Sequence, residues 1–410
     1  MVDIGIVGAG ISGLHLALRL QQLGVGTTLY AEQGPDQLRV SRPPNLVGRF
    51  EQTRARERAL GVSRWDLPGS GLFCIHFTVQ ADPGLSFCGL LSRPFSAVDF
   101  RIYLPHLLED YECRGGRVVL GSVDSRGVAC LAERHDLMVV TAGGRSMAGL
   151  FERDPERSPY TAPQRQVCGG MFLGMAYTEP LGLAYHVIPG VGEIFNFPFY
   201  SFGGRITGMT FESVPGGPLE VLTQLPYDAG SDEFERTVLD LLARYAPSSR
   251  ERIDERLFTL TRPIDWMRGT ITPVVRRGWA ALGEDRYAVA IGDAWVLNDP
   301  VAGQGANLGS SCAFVLAEAI VNAARFDEGF CHAVVERMWD IARPVTEWSN
   351  AFLQPPPPHA MRLLAAAATD QRVADKLIDN WNDPTAAWAA FASPAGAAAF
   401  LRCLGTPGSA

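Results

Sequence analysis

Hydrophobic and polar positions change their period along the chain, and the changes mark out its elements. Asp3–Val7 is a short apolar run. Leu and Ala then recur at helical spacing from Leu14 to Leu23, and Thr27–Tyr30 is β-branched and aromatic, so residues 2–32 read strand, glycine turn, helix, strand. A loop and a charged helix over Gln52–Leu60 follow, then a strand over Gly71–Gln80, a helix over Arg101–Glu112, and short buried strands at Val118–Leu120 and Leu137–Thr141. From about residue 165 to 275 the pattern is different. Gly182–Ile188, Glu193–Phe199 and Arg205–Phe211 are rich in β-formers and separated by Gly and Pro, which predicts an antiparallel sheet. A buried strand returns at Arg286–Ile291 and a long helix at Asn307–Ala324. Beyond the stiff Pro355–Pro358 connector, residues 359–402 are Ala-rich and helical.

At 410 residues the chain exceeds what one core usually organises, so more than one domain is expected. The net charge of −8 argues against a nucleic-acid surface, and no basic run suits an anionic membrane. No apolar stretch reaches the ~18 residues of a membrane span. The N-terminus lacks the basic residues of a signal peptide, and the eight cysteines form no C-x-x-C pair. Free thiols, no bound metal and a cytoplasmic location are expected.

Two segments carry chemistry. Gly8-Ala9-Gly10-Ile11-Ser12-Gly13 lies between a predicted strand and helix. Gly8 permits the tight turn, Gly10 lets a pyrophosphate approach the backbone, and Gly13 lets helix and strand pack closely. The helix start, with Ala9 and Ser12, offers free N–H groups and a positive dipole to phosphate. Glu32, at the end of the second strand, is the candidate acceptor for the ribose hydroxyls. Far along the chain, Ile291-Gly292-Asp293-Ala294 ends a strand, and Asp299-Pro300-Val301-Ala302-Gly303-Gln304-Gly305-Ala306-Asn307 opens a helix. These stretches resemble the second FAD fingerprint of flavoprotein hydroxylases, which implies that Asp293 would accept from the ribityl hydroxyls and that the second turn would face the flavin N1–C2=O edge, where a helix dipole favours the reduced, anionic ring. Both segments together point to FAD rather than NAD. Arg42 and Arg101 are candidate pyrophosphate partners.

With Arg42-x-x-Asn45, Ala97-Val98-Asp99-Phe100-Arg101 and Asp299–Asn307, the sequence resembles the oxygenase component of styrene and indole monooxygenases along essentially its whole length. The resemblance implies an α/β fold like that of para-hydroxybenzoate hydroxylase: a Rossmann-type FAD-binding domain (1–70, 96–165 and 276–330), interwoven with an antiparallel-sheet substrate domain (71–95 and 166–275), plus a C-terminal helical region (331–410). It implies a two-component system. A separate NAD(P)H-dependent flavin reductase supplies reduced FAD, and O2 forms a C4a-(hydro)peroxyflavin that oxygenates an electron-rich C=C bond. The substrate is a styrene-like arene or an indole, including an indole inside a larger natural product such as an indole terpenoid. Asn45 would lie beside flavin and substrate, and Arg101 would hold FAD. The Asp-Gly motif of single-component hydroxylases is missing; Thr141-Ala142-Gly143-Gly144-Arg145-Ser146 stands in that region, with Ala142 and Gly143 the cofactor candidates.

Such chemistry needs a dry, apolar pocket rather than a nucleophile or metal. Phe195, Phe197 and Phe199 alternate and so share one sheet face, expected to cover the substrate. His76 is expected as a polar contact there or as a hydrogen-bonded core histidine. Trp295, where the family leads one to expect a smaller side chain, is expected at the pocket. The competing readings are a self-sufficient aromatic hydroxylase that binds NAD(P)H, and a non-catalytic flavin-binding protein; a homodimer is left open.

Overall fold

The computed structural model describes residues 2–405 apart from Pro68, Arg145, Ser146 and Ala148. Two sheets organise the chain. The first has six strands in the order Trp279–Gly283, Arg286–Ala290, Leu137–Val140, Asp3–Val7, Gly26–Ala31 and Arg117–Leu120. All pair in parallel except the first two, which form an antiparallel hairpin. Its central strands are apolar throughout because helices cover both faces; Ile4, Ile6 and Met138 through Val140 are fully buried. Helices Ile11–Gln22 and Gly305–Asn322 lie against each other over this sheet.

The second sheet is mixed. Arg165–Leu173, Gly182–Ile188, Gly192–Ser201 and Gly204–Ser213 are antiparallel to one another wherever they pair. Leu72–Val79 joins Gly182–Ile188 in parallel, and Leu85–Ala97 extends the sheet beyond it. The strands expected to be antiparallel over 165–275 are so, and the parallel pair is an addition at Leu72–Val79. The chain leaves this sheet to add two strands to the other and then returns, and such a long crossover is what a parallel pair requires. An amphipathic helix, Glu233–Tyr245, also interrupts the region read as strands.

The C-terminal region is helical, with helices Pro358–Thr369, Gln371–Asp379, Pro384–Phe391 and Pro394–Cys403. Gln371–Asp379 lies along strand Leu85–Ala97. Asp375 accepts from the Leu90 backbone N–H at 2.8 Å, and Asp379 from that of Ser92 at 2.9 Å. These carboxylates satisfy an edge that would otherwise pair with another chain. Among the described residues, no helix is long and apolar enough to cross a membrane. All eight cysteines are free thiols.

Candidate functional site

The N-terminal fingerprint has the geometry its glycines suggest. Gly8 has φ of +112°, and a Cβ there would meet the Ala142 backbone N at 2.8 Å. A Cβ on Gly13 would stand 2.0 Å from the Gly8 carbonyl oxygen, so helix and turn touch backbone to backbone. Around Gly10 the space is open to 4 Å. Helix Ile11–Gln22 begins there with no side-chain cap, which leaves its first N–H groups for an anion.

The second fingerprint comes to the same place. Cβ atoms on Gly292 (φ +60°) and Gly309 would lie 2.6 and 2.1 Å from Ser12 Oγ. One on Gly143 would lie 3.0 Å from Asp293 Cβ. Three turns therefore meet around Ser12: the first glycine loop, Ala142–Gly143 and Gly292–Asp293. Arg145 and Ser146, read with that middle turn, lie outside the described residues. Asp293 is accessible yet set in a crevice; the surrounding protein raises its pKa, and Arg276 opposes the rise. Pro300–Ala302 is a short helical turn ending at Gly303 (φ +66°), and helix Gly305–Asn322 starts uncapped beside it, with Gly305 and Ala306 half-buried. Glu32 is exposed just past strand Gly26–Ala31.

Asn307 has a part that sequence reasoning missed. Its Oδ1 accepts from the Phe50 backbone N–H at 3.0 Å and from the Thr53 hydroxyl at 2.7 Å. Its Nδ2 donates to the carbonyls of Gly48 and Gly303, each at 3.0 Å. The side chain is fully used. It fastens the segment after Asn45 to the second glycine turn. Asn45 itself is half-buried, and its Oδ1 is buried with no protein partner, a polar atom left for a ligand. Gln304, nearly fully buried, donates to the Trp381 carbonyl at 3.1 Å and ties the same turn to the C-terminal region.

Between this turn and the second sheet lies a cavity of about 90 Å³. Leu46, Phe50, Phe195, Phe197, Pro300 and Trp381 are among its walls. Phe195 and Phe197 line it as the alternation predicts; Phe199, fully buried, belongs to the same core without reaching the cavity. A larger apolar chamber of about 680 Å³ lies next to it against the C-terminal helices, and Trp381 borders both.

Two expectations, for Arg101 and Trp295, are corrected by position, and His76 takes the second of its two readings, that of a hydrogen-bonded histidine. Arg101 is buried. It bonds Asp99 through Nε and Nη2, Asp265 through Nη1 at 2.7 Å, and the Ser41 carbonyl at 3.3 Å. Two carboxylates already occupy it, so it braces the two sheets' segments rather than reaching out to a pyrophosphate. His76 points to the sheet face opposite Phe77, which borders the larger chamber. Its Nε2 lies 2.9 Å from the Pro180 carbonyl oxygen and near Cys74 and Cys88. Trp295 is 1% exposed and packs edge-on to Trp339 in the core of the first sheet, away from the cavity, because the strand before it carries the chain inward. Arg42 is exposed in a surface depression that Pro43, Pro44 and Trp266 also line, its guanidinium 5.1 Å from the Trp266 ring.

Sequence reasoning missed a buried acidic cluster beside the cavity. Glu193 and Glu212 are direct cross-strand partners, 3% and 1% exposed, and Asp299, 1% exposed, precedes the Pro300 turn. Arg165 pairs with Glu193 through two bonds, at 2.7 and 2.9 Å. Burial pushes Glu212 well above the carboxylate range, with Asp299 and Glu193 adding to the rise, and burial pushes Asp299 up to about 6. The only signal was a glutamate directly after an apolar strand run, and nothing local distinguishes that from a solvated strand end.

Converging glycine turns, two open helix starts and an apolar cavity against the second turn have the features of a flavin-binding site. The profile of the family described as "Styrene monooxygenase A putative substrate binding domain" matches residues 143–252. Styrene monooxygenase StyA of Pseudomonas fluorescens is 35% identical over 395 residues, covering 95% of each chain, and StyA of a Pseudomonas species matches to the same extent. Among solved structures, a triple mutant of the flavin-dependent brominase Bmp2 superposes with a TM-score of 0.67 at 14% identity over 99% of each chain. A flavoprotein/dehydrogenase from Cytophaga hutchinsonii gives 0.66 at 13% identity, over 94% of this chain and 93% of that one. The chain belongs to the styrene monooxygenase family, and it is a flavoprotein monooxygenase.

Proposed function

We propose that this protein is the oxygenase of a two-component system. It takes reduced FAD from a separate NAD(P)H-dependent reductase and, with O2, oxygenates an electron-rich C=C bond of a styrene-like arene or an indole. Bound FAD supplies the oxygen-transfer chemistry. The chain's own contribution is positioning and dryness. Backbone N–H groups at Gly10–Gly13 would hold the pyrophosphate, Glu32 the ribose and Asp293 the ribityl chain, with Ala142 and Gly143 walling the crevice. The Pro300–Ala306 turn would face the flavin edge, and Arg42 the pyrophosphate. Asn45 would offer its unpartnered Oδ1 to flavin or substrate. Phe195 and Phe197 keep water from the reacting centre and orient a flat apolar ring.

The observation that carries this reading is the apolar cavity set directly against the second glycine turn. The adjoining chamber of about 680 Å³ favours a substrate with a bulky apolar substituent, such as an indole within a larger molecule, as the physiological one. The test supplies chemically reduced FAD, O2 and either styrene or indole to the purified chain without a reductase. Epoxide or indole-oxidation products are expected. Their absence across substituted styrenes and indoles would favour a non-catalytic flavin binder. Rapid bleaching of FAD by NAD(P)H alone, without oxygen, would favour a self-sufficient hydroxylase.

A further inference from the structure

We propose that Glu212 and Asp299 hold a single proton between them, and that this shared proton clasps the Pro300–Gly303 turn to the second sheet. Glu212 is then a positioning residue for the flavin. The inference rests on the reading of that turn as a flavin contact.

Topology sets up the problem. Glu193 and Glu212 stand directly opposite each other on neighbouring strands, an arrangement that costs stability when both are charged. Asp299 reaches the same spot from the cofactor side, where its Oδ1 accepts from the Val301 backbone N–H at 3.2 Å. Three buried carboxylates thus face one guanidinium, and Arg165 spends its two bonds on Glu193. Fully ionised, the cluster would hold two uncompensated buried charges, which proteins avoid by keeping a proton.

Two unpartnered oxygens mark the place for that proton. Glu212 Oε2 and Asp299 Oδ2 are both buried with no donor; Glu212 lines the same cavity as Pro300, the residue after Asp299, and each acid shifts the other's titration. Two acceptors facing each other are both satisfied by one proton. The pair as a whole titrates, so neither residue owns a separate step. Around it the charged groups are Arg165 and Glu193; Tyr185, whose hydroxyl donates to the Val301 carbonyl at 3.2 Å, is a buried phenol that burial keeps protonated.

The sharing joins two parts of the fold. Glu212 sits on strand Gly204–Ser213 and lines the reaction cavity, and Asp299 begins the turn that forms the opposite wall. Loss of the proton sets two like charges against each other across that boundary and frees the turn.

The test measures the FAD dissociation constant of the purified chain from pH 6 to 9. In the wild type it should rise at alkaline pH by up to about tenfold per pH unit, the slope that one lost proton allows. Glu212→Gln always offers Asp299 an N–H and should bind FAD tightly with a flat profile, whereas Glu212→Ala should bind weakly throughout. A Glu212→Gln profile as steep as the wild type, or a flat wild type, overturns the proposal. Asp299→Asn should flatten the profile in the same way and serves if Glu212→Gln does not fold. Infrared spectroscopy of the protein without FAD gives an independent readout. A protonated-carboxyl band at pH 7 should vanish in Glu212→Gln, and its persistence there contradicts the sharing even if FAD binding were to fail for other reasons.

Discussion

The Cβ that Gly309 lacks would stand 2.1 Å from Ser12 Oγ, so the helix after the second glycine turn packs on the helix after the first with no room for a methyl group. A Gly309→Ala substitution is therefore expected to push the helices apart, at a cost of about 1–3 kcal/mol, and to weaken FAD binding. Adding Ser12→Ala removes the clashing oxygen and leaves Cβ atoms about 3.3 Å apart, so the double variant should regain most of the loss. Urea unfolding and FAD titration of the four proteins of this cycle measure the coupling.

Asn307→Leu leaves the Phe50 N–H, the Thr53 hydroxyl and two carbonyls without partners. The expected loss is on the order of 3 kcal/mol, together with weaker FAD binding, because the segment after Asn45 is released from the Gly303 turn. Asn45→Ala removes an oxygen that has no protein partner, and it should lower turnover with little change in the urea midpoint.

Arg101 divides fold from function in the opposite sense. Arg101→Ala strands Asp99 in the interior, takes from Asp265 one of its two guanidinium partners, and should cost about 3–5 kcal/mol. Burial alone would raise Asp265, but hydrogen bonds from Arg262, Thr261 and Arg101 outweigh it and hold it low. A depressed carboxylate stabilises the fold above its ordinary pKa and loses that contribution on acidification. The wild type should therefore show an acid-limb loss of stability that is smaller in Arg101→Ala, as seen in melting scans from pH 3 to 6.

Stability should fall on both sides of neutrality. Burial, aided by nearby arginines, lowers His15 to about 3 and His186 to about 4, so both are neutral when folded and take up protons on unfolding. Their contribution is present above the unfolded value of about 6.5 and declines as pH drops below it. Asp299, at about 6, and Glu212 have the opposite sign. Their raised values stabilise the fold at low pH, and that stabilisation is lost as pH rises through the pair's titration. Melting temperatures should thus decline toward pH 9 in the wild type and decline less in Glu212→Gln.

What could be read from the chain was local. Gly8 and Gly13 each do one backbone task, so their spacing reports it, and Phe195 and Phe197 share a face because strands alternate. What could not be read depends on partners far away in sequence. Arg101 looked like a phosphate ligand because nothing nearby reveals Asp265. His76, in an apolar strand, left two readings open, and Trp295 was expected at the pocket from its place after Gly-Asp-Ala, whereas strand alternation and the inward course of the chain decide which way each faces. Glu212 carried no signal, since its meaning arises only where strand pairing sets it opposite Glu193 and a distant turn delivers Asp299. Strand Leu85–Ala97 escaped notice because its bulk is polar on one side and its edge is satisfied by a C-terminal helix.

The central claim is that both glycine turns hold one flavin. Amide hydrogen exchange with and without FAD tests it directly. Binding should slow exchange at Gly10–Leu14 and at Gly303–Leu308 together, with the same FAD dependence and at one equivalent of FAD per chain. Protection confined to one of the two segments, or two different FAD dependences, would contradict it.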